Sequence, residues 1–173
     1  GGGSNGLMPY VNLSCLTPGD TLRLRFWEYG SNATGNFRVK INYPGVVNSL
    51  TWLGSVSNSW NNANNWAGCA IPDSSKDVVI YSGATVQPSI PDNTTINCRN
   101  LTIQEGATLT FGLNCILNIS GNYTNSGSLV MPTSSTIQFK NAAVQTIDGN
   151  MIVANQFGNF SVVKTGGSLT FLQ

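Results

Sequence analysis

The sequence has no histidine and very little charge. Charged residues make up 9% of its 173 residues and the formal net charge is +1, whereas about 25% charged residues is usual in soluble domains. Without histidine, neither a Ser-His-Asp nor a Cys-His catalytic arrangement can be built. A net charge near zero gives no electrostatic basis for binding nucleic acid. These absences exclude the commonest hydrolase sites and argue against a nucleic-acid partner.

Long apolar runs and clustered metal ligands are also lacking. No stretch approaches the roughly 20 continuous apolar residues that a membrane span needs, so we expect no membrane insertion. The four cysteines form no C-x-x-C pair, and with no histidine available they make no zinc ligand set. We therefore expect no metal and no cofactor.

The acidic residues are too few and too scattered to suggest catalysis. Only seven are present, and only Asp73 and Asp77 are close in sequence. A glycosidase needs two carboxylates facing each other across the scissile bond, and such a pair would have to assemble from distant strands. The segment IPDSSKD at 71–77 is typical of a loop, with Asp73 as a turn-former and calcium ligation as the alternative. We expect this chain not to be an enzyme.

What the sequence does contain is strand periodicity along its whole length. In DTLRLRFWEYG and GNFRVKINYPG, apolar residues alternate with polar ones, and no window shows the helical period. The sequence therefore predicts an all-β fold. Residues 7–43 predict about three antiparallel strands, too few for an independent sandwich. We assign residues 1–46 to the C-terminal strands of a β-sandwich module. Four basic residues would share one face, either protecting an exposed sheet or meeting an anionic partner: Arg23, Arg25, Arg38 and Lys40.

A repeat becomes visible in the second half of the chain. NLTIQEGATLTF at 100–111 is similar to NFSVVKTGGSLTF at 159–171, an offset of about sixty residues, and shorter related runs lie between them. Short strands ending in Gly or Asn suggest rungs of about twenty residues, so that the offset of about sixty residues would correspond to roughly three whole rungs. Such rungs bury their apolar faces only when stacked. We predict a right-handed parallel β-helix, or β-solenoid, over 98–173, with a cap and first rung over 47–97. The chain stops at LTFLQ without a polar cap, so we expect it to continue in a longer polypeptide.

Fourteen apolar side chains are predicted to point into this solenoid. They are Leu101, Ile103, Leu109, Phe111, Leu117, Ile119, Leu129, Ile137, Phe139, Ile147, Phe160, Val162, Leu169 and Phe171.

The segment TWLGSVSNSWNNANNWAGC at 51–69 holds three tryptophans and no charge. Trp52, Trp60 and Trp66 are large enough to cover the open first rung, each burying roughly 150–250 Å². Alternatively, the rings form a platform for sugars, with Asn61 and Asn62 presenting amides to hydroxyl groups, or they form a partner interface. Asn also suits turns, because it tolerates positive φ. A cap is the simplest interpretation, and Trp60 is the ring that we expect to be most exposed.

These residues carry a resemblance to a known class. The run TWLGSVSNSWNNANNWAGCAIPDSSKDVVI followed by PDNTTINCRNLTIQEGATLTF resembles the Trp-rich opening and first rungs of large secreted or surface-displayed proteins of Bacteroidota. Many of these are repetitive, adhesin-like and exported by the type IX secretion route. Residues 7–43 resemble the last strands of the β-sandwich modules that often precede such solenoids. The resemblance implies a secreted or cell-surface location.

An extracellular location favours disulfide bonds and makes surface glycosylation possible. Within the matched region, Cys69 and Cys98 would stand side by side on the first rungs, and we expect them to form a disulfide. Cys15 and Cys115 are then free thiols, or else a second bridge. The triplet DTL at 20–22 fits the short site at which Bacteroidota attach O-glycans, which makes Thr21 a candidate for O-glycosylation.

The function expected from the sequence is structural. We predict a non-enzymatic, adhesive module of a large extracellular protein, in which the solenoid acts as a rigid stalk that presents binding surfaces. Its partners would be a glycan, a surface protein or neighbouring modules of the same polypeptide. The alternative is a carbohydrate-binding accessory module of an exported glycan-degrading enzyme, which would use the tryptophans and the Asn-rich turns.

Overall fold

A computed structural model divides the chain into two compact units, Gly1–Gly45 and Val46–Gln173. The structure describes Thr21, Arg23, 47–151 and 155–172. The antiparallel sandwich strands predicted for residues 1–46 therefore lie outside the described residues.

The second unit is a β-solenoid of about four turns, and its described residues contain no α-helix. Each complete turn contributes three strands, one to each of three parallel sheets, which we call faces A, B and C. Face A contains β1 (Ser49–Thr51), β2 (Asp77–Ile80), β5 (Leu101–Ile103), β8 (Tyr123–Asn125), β11 (Gln145–Gly149) and β13 (Leu169–Phe171). Face B contains β3 (Ser89–Ile90), β6 (Thr108–Phe111) and β9 (Ser128–Val130). Face C contains β4 (Thr95–Cys98), β7 (Ile116–Ile119), β10 (Thr136–Lys140) and β12 (Asn159–Val163).

The register fixes the length of a turn. On face A, Leu101 pairs with Tyr123, and Tyr123 pairs with Ile147. One turn therefore takes 22 to 24 residues, slightly more than the twenty predicted. The similarity between 100–111 and 159–171 does not mark whole turns, because it aligns β5 on face A with β12 on face C. It reflects the common pattern of a strand, Gly or Asn, and another strand.

One apolar cluster fills the interior from the first turn to the last. Alternate residues of each strand point inward, as in β2, where Val78 and Ile80 are buried while their neighbours are partly exposed. Of the fourteen predicted inward side chains, ten are buried. These are Leu101, Ile103, Leu109, Phe111, Leu117, Ile119, Leu129, Ile137, Phe139 and Ile147.

The other four predicted core residues belong to the last two strands. Phe160 is 40% exposed, Val162 48% and Phe171 57%, while Leu169 is partly buried. These residues pair in register with buried residues of the preceding turn: Val162 pairs with Phe139, and Phe171 pairs with Ile147. Phe160, Val162 and Phe171 are exposed, and Leu169 is only partly buried, because no described strand stacks on them. Burial at a solenoid position depends on having a turn on both sides.

Candidate functional site

Three tryptophans form a plug over the first turn. Trp52, Trp60 and Trp66, which we call the tryptophan plug, are each 0% exposed and belong to the same apolar cluster as the strands. Trp66 lies between the other two, with edge-to-face contacts at centroid distances of 4.8 Å to Trp52 and 4.7 Å to Trp60. This is a preferred arrangement for aromatic pairs. The rings thus pack as one unit.

Backbone hydrogen bonds anchor the plug to two faces of the first turn. The Trp52 N–H donates to Val79 O on face A at 2.9 Å, and the Trp60 N–H donates to Ser89 O on face B at 3.0 Å. Trp52 and Trp66 also form an isolated antiparallel bridge with each other. The segment from 52 to 66 therefore crosses over the end of the solenoid at β2 and β3.

The polar atoms of the indole rings help to fix their orientation. Trp66 Nε1 donates to Trp60 O at 2.9 Å, and Trp52 Nε1 donates to Val86 O at 2.6 Å. Gly54, at φ +61°, lies so close to this second loop that an added Cβ would come within 2.1 Å of Val86 O. Only glycine fits at this position, because both its φ and the space exclude a side chain.

The expectation that Trp60 is the most exposed ring is wrong. All three indoles are fully buried, so none offers a face on which a sugar could stack. The ring platform is therefore not present, because each ring already packs against another ring and the core. Trp60 Nε1 has no hydrogen-bond partner among the described residues.

Asn65 organises the segment, and sequence reasoning did not single it out. It is 0% exposed. Its Oδ1 accepts from the backbone N–H groups of Val56 and Ser57 at 2.9 and 3.0 Å, and its Nδ2 donates to Ser57 Oγ and Ser59 O at 3.0 and 2.9 Å. A buried amide with all of these bonds fixes the loop that carries Trp60. The sequence gives no sign of its burial, because Asn65 stands in a run of Asn residues of which the others are exposed or partly exposed.

The two asparagines predicted as ligand-binding amides have different surroundings. Asn61 is exposed. Asn62 caps a single 3-10 turn, Ala63–Asn65, and its Oδ1 accepts from Asn64 N–H at 3.1 Å. The amide of Asn62 is thus used for turn formation, as expected of Asn at such positions.

The predicted disulfide between Cys69 and Cys98 is not formed. Cys98 is a free thiol at the end of β4 and is 0% exposed. It points into the core as an alternate residue of its strand, and burial raises the pKa of the Cys98 thiol. Cys69 lies outside the strands, in a turn where its φ is 54°. Cys115 is also free and buried, whereas Cys15 lies outside the described residues.

Hydrogen-bonded side chains join the turns along the outside of face A. Asn100 Nδ2 donates to Asp77 Oδ1 at 2.7 Å, the Asn122 N–H donates to Asn100 Oδ1 at 2.6 Å, and the Thr146 N–H donates to Asn122 Oδ1 at 3.0 Å. We call Asp77, Asn100, Asn122 and Thr146 the face A column. It links four successive turns without a break.

The only ion pair among the described residues lies at the base of this column. Arg99 Nε and Nη2 donate to the two carboxylate oxygens of Asp77, each at 2.6 Å. Hydrogen bonding to Arg99 lowers the pKa of Asp77, and the same contact raises the pKa of Arg99. A bidentate pair of this kind is more specific than a single contact. Asp77 therefore joins the first two full turns.

The remaining predicted sites have simple surroundings. Asp73 Oδ1 accepts from the backbone N–H and the hydroxyl of Ser75 at 2.7 and 2.6 Å, so it forms the turn that the sequence suggested. These bonds lower the pKa of Asp73. Thr21 and Arg23 are exposed, while Arg25, Arg38 and Lys40 lie outside the described residues. O-glycosylation of Thr21 stays a prediction.

Two further kinds of site, a metal centre and a membrane-spanning helix, are absent from the described ranges. In 47–151 and 155–172, no three His, Cys, Asp or Glu residues are grouped so that they could hold a metal ion. Nor does any helix in the part of the chain that the structure describes have the length and apolar character to cross a membrane.

Comparison with known proteins gives one match. No curated protein and no solved structure matches the chain. A family model described as a domain of unknown function, DUF8693, matches residues 51–162. The match begins just before the tryptophan plug and ends within β12, so it covers the plug and most of the solenoid. Since it spans more than half of the chain, the protein belongs to the DUF8693 family.

Proposed function

We propose that this chain is a non-enzymatic structural and adhesive module of a large secreted or cell-surface protein. The observation that carries the proposal is the continuous parallel ladder of stacked turns, closed at its first turn by the tryptophan plug. Such an assembly holds its outer faces in fixed positions without a hinge. The Bacteroidota origin and type IX export implied by the resemblance of residues 50–173 are part of the proposal.

The contacts between turns support a mechanical role. Each face is a ladder of backbone hydrogen bonds, and the face A column adds side-chain bonds across four turns. At about 4.8 Å between strands, the six strands of face A extend over only about 24 Å. The described solenoid is thus a short, stiff block, and it would act as one segment of a stalk.

The chemistry of the polar residues supports a non-enzymatic role. The sequence has no histidine, and two of its seven acids, Asp73 and Asp77, are engaged in a turn and in an ion pair. A general acid or base needs a pKa near the working pH, whereas the pKa values of both these carboxyl groups are lowered. These acids hold the fold together.

We also propose that the solenoid is right-handed. Parallel strands joined by crossovers within one sheet are right-handed in about 98% of cases, because the strand twist favours that hand. Every face of this unit is built from such crossovers.

A carbohydrate-binding accessory module is a second candidate function. The tryptophans cannot be its binding surface, because all three are buried. What favours it now is the outer surface of face C, where Asn97, Asn118, Gln138 and Ser161 lie in register from turn to turn and Lys140 is the single charged residue of its strands.

Limited proteolysis with trypsin tests the structural role. Arg99 and Lys140 are exposed cleavage sites at the ends of face C strands, and a protease needs several residues of locally unfolded chain around its target. We expect the native protein to resist cleavage at both sites under conditions in which the urea-denatured protein is cut. Rapid native cleavage after Arg99 or Lys140, identified by mass spectrometry, would contradict a rigid block.

A bead assay tests the adhesive role separately. Beads coated with the whole chain are passed under flow over surfaces carrying polysaccharides or extracellular proteins, with albumin-coated beads as the control. Retention above the control is expected on at least one surface. Retention equal to that of albumin on every surface would remove adhesion from the proposal and leave the structural role.

A further inference from the structure

The outer surface of face C carries a column of three amide side chains followed by one serine. Asn97 pairs in register with Asn118, Asn118 with Gln138, and Gln138 with Ser161. Their strand neighbours point inward, as Leu117 does, so these four side chains point outward. We call Asn97, Asn118, Gln138 and Ser161 the amide column. Strand spacing places its members about 4.8 Å apart.

The hydrogen bonds of the amide column are interrupted in the middle. Asn118 Nδ2 donates to Asn97 Oδ1 at 2.9 Å, toward the first turn. Gln138 Nε2 donates to Ser161 Oγ at 3.2 Å, toward the last turn. The two central amides therefore donate away from each other. Between them, Asn118 Oδ1 has no hydrogen-bond partner among the described residues, although Asn118 is only 8% exposed.

Stacking alone does not require such an interruption. In the face A column, Asn100 and Asn122 use their side-chain oxygens to accept from the next turn, and the chain of bonds runs on from turn to turn. A buried acceptor without a donor has lost its hydrogen bond to water and gained none in return, which destabilises the folded state. The gap on face C is thus a place where an incoming donor would gain a hydrogen bond that the protein itself does not make.

The surroundings of the gap indicate what kind of donor fits. Ile116 and Val163 are apolar side chains on the strands of face C with 38% and 52% of their surface exposed. Lys140 is the only charged residue in the strands β4, β7, β10 and β12. A ligand that combines hydroxyl donors with apolar C–H surfaces and carries no charge matches this face. A neutral polysaccharide has this composition.

We propose that the amide column binds a neutral polysaccharide, with a sugar hydroxyl donating to Asn118 Oδ1 in the gap between Asn118 and Gln138. Gln138 is the longer and more flexible of the two side chains, and it moves aside to admit the hydroxyl. This inference rests on the proposed adhesive function and names its ligand class and its site. It replaces the tryptophans by an amide surface as the glycan-binding element.

Sedimentation with insoluble polysaccharides tests the site. The whole protein is mixed with microcrystalline cellulose, chitin or starch granules, and the fraction bound is measured against protein concentration. We expect saturable binding to at least one of them. Asn118→Leu keeps the size of the side chain but removes the acceptor, and we expect it to lower the affinity about three- to tenfold, in line with the loss of one hydrogen bond.

Two controls keep the outcome interpretable. Thr124→Val changes an outward side chain on face A and should bind like the unchanged protein. Thermal unfolding should show that Asn118→Leu is folded, since the acceptor it removes has no partner and the one bond it breaks, from Asn118 Nδ2, leaves a partly exposed Asn97 Oδ1 that water can reach. Binding by none of the three polysaccharides, or equal binding by Asn118→Leu, would overturn the proposal. Either result would leave the trypsin resistance expected of the structural role untouched.

Discussion

Replacing Trp66 by alanine tests the tryptophan plug most severely. Trp66 is the central ring: it contacts both other indoles, and its Nε1 donates to Trp60 O. Removing a fully buried aromatic side chain costs about 3–5 kcal/mol, through lost transfer free energy and the cavity left behind. For a domain of this size, 3 kcal/mol corresponds to a fall in melting temperature of about 10 °C.

The assay is thermal unfolding followed by circular dichroism, with urea unfolding as a second measure. Val56→Ala is the matched control, because Val56 lies in the same segment but is 62% exposed; we expect it to change stability by no more than about 0.5 kcal/mol. Trp66→Phe retains a ring but lacks the indole N–H, so its loss of stability should lie between those of Val56→Ala and Trp66→Ala. A melting temperature for Trp66→Ala equal to that of the control would refute the idea that the plug closes the solenoid.

Three further predictions concern the core, a thiol and an ion pair. Phe139→Ala should cost about 3–5 kcal/mol in urea unfolding and Phe171→Ala much less, because the first ring is 0% and the second 57% exposed; equal costs would contradict the stacking order. Cys98 should resist maleimide labelling in the native protein and react in guanidinium, whereas recovery of a Cys69–Cys98 peptide under non-reducing conditions would contradict its free state. Because the pKa of Asp77 is lowered on folding, its contribution is present above about pH 4 and is lost as the pH falls below that value. The stability difference between the unchanged protein and Asp77→Asn should therefore be largest near pH 7 and shrink as the pH falls below about 4, and a difference independent of pH would contradict the Arg99 contact.

The fold class was readable from the sequence because a solenoid repeats local information. Strands such as Leu101–Ile103 and Thr136–Lys140 show alternation directly, and Gly or Asn marks their ends. The length of a turn was less accessible: strands of three to five residues look alike on every face, so the similarity of 100–111 to 159–171 was mistaken for a whole number of turns. Register depends on contacts between distant strands.

The site was predicted less well, and for a physical reason. Residue type suggested exposed tryptophans and hydrogen-bonding asparagines, but burial is decided by what packs on each side. Trp60 is covered by Trp66, and Asn65 is buried while Asn61 is exposed. The predicted Cys69–Cys98 disulfide was wrong for a similar reason. The resemblance placed the two residues on neighbouring rungs, but it did not show that the Cys98 side chain points into the core. The gap beside Asn118 depends on the direction of two amide groups, which no sequence pattern records.

Native-state hydrogen exchange, resolved by peptide mass spectrometry, tests most directly the claim that stacked turns are closed at one end by the tryptophan plug. Amide protons in the plug segment, including those of Trp52, Trp60 and Trp66, are hydrogen-bonded and should exchange as slowly as those of the central strands β5, β7 and β8. Strand β13, which has a described neighbour on one side only, should exchange fastest among the strands. Slow exchange in the plug with fast exchange in β13 is the predicted result, and a plug that exchanges faster than β13 would contradict the account.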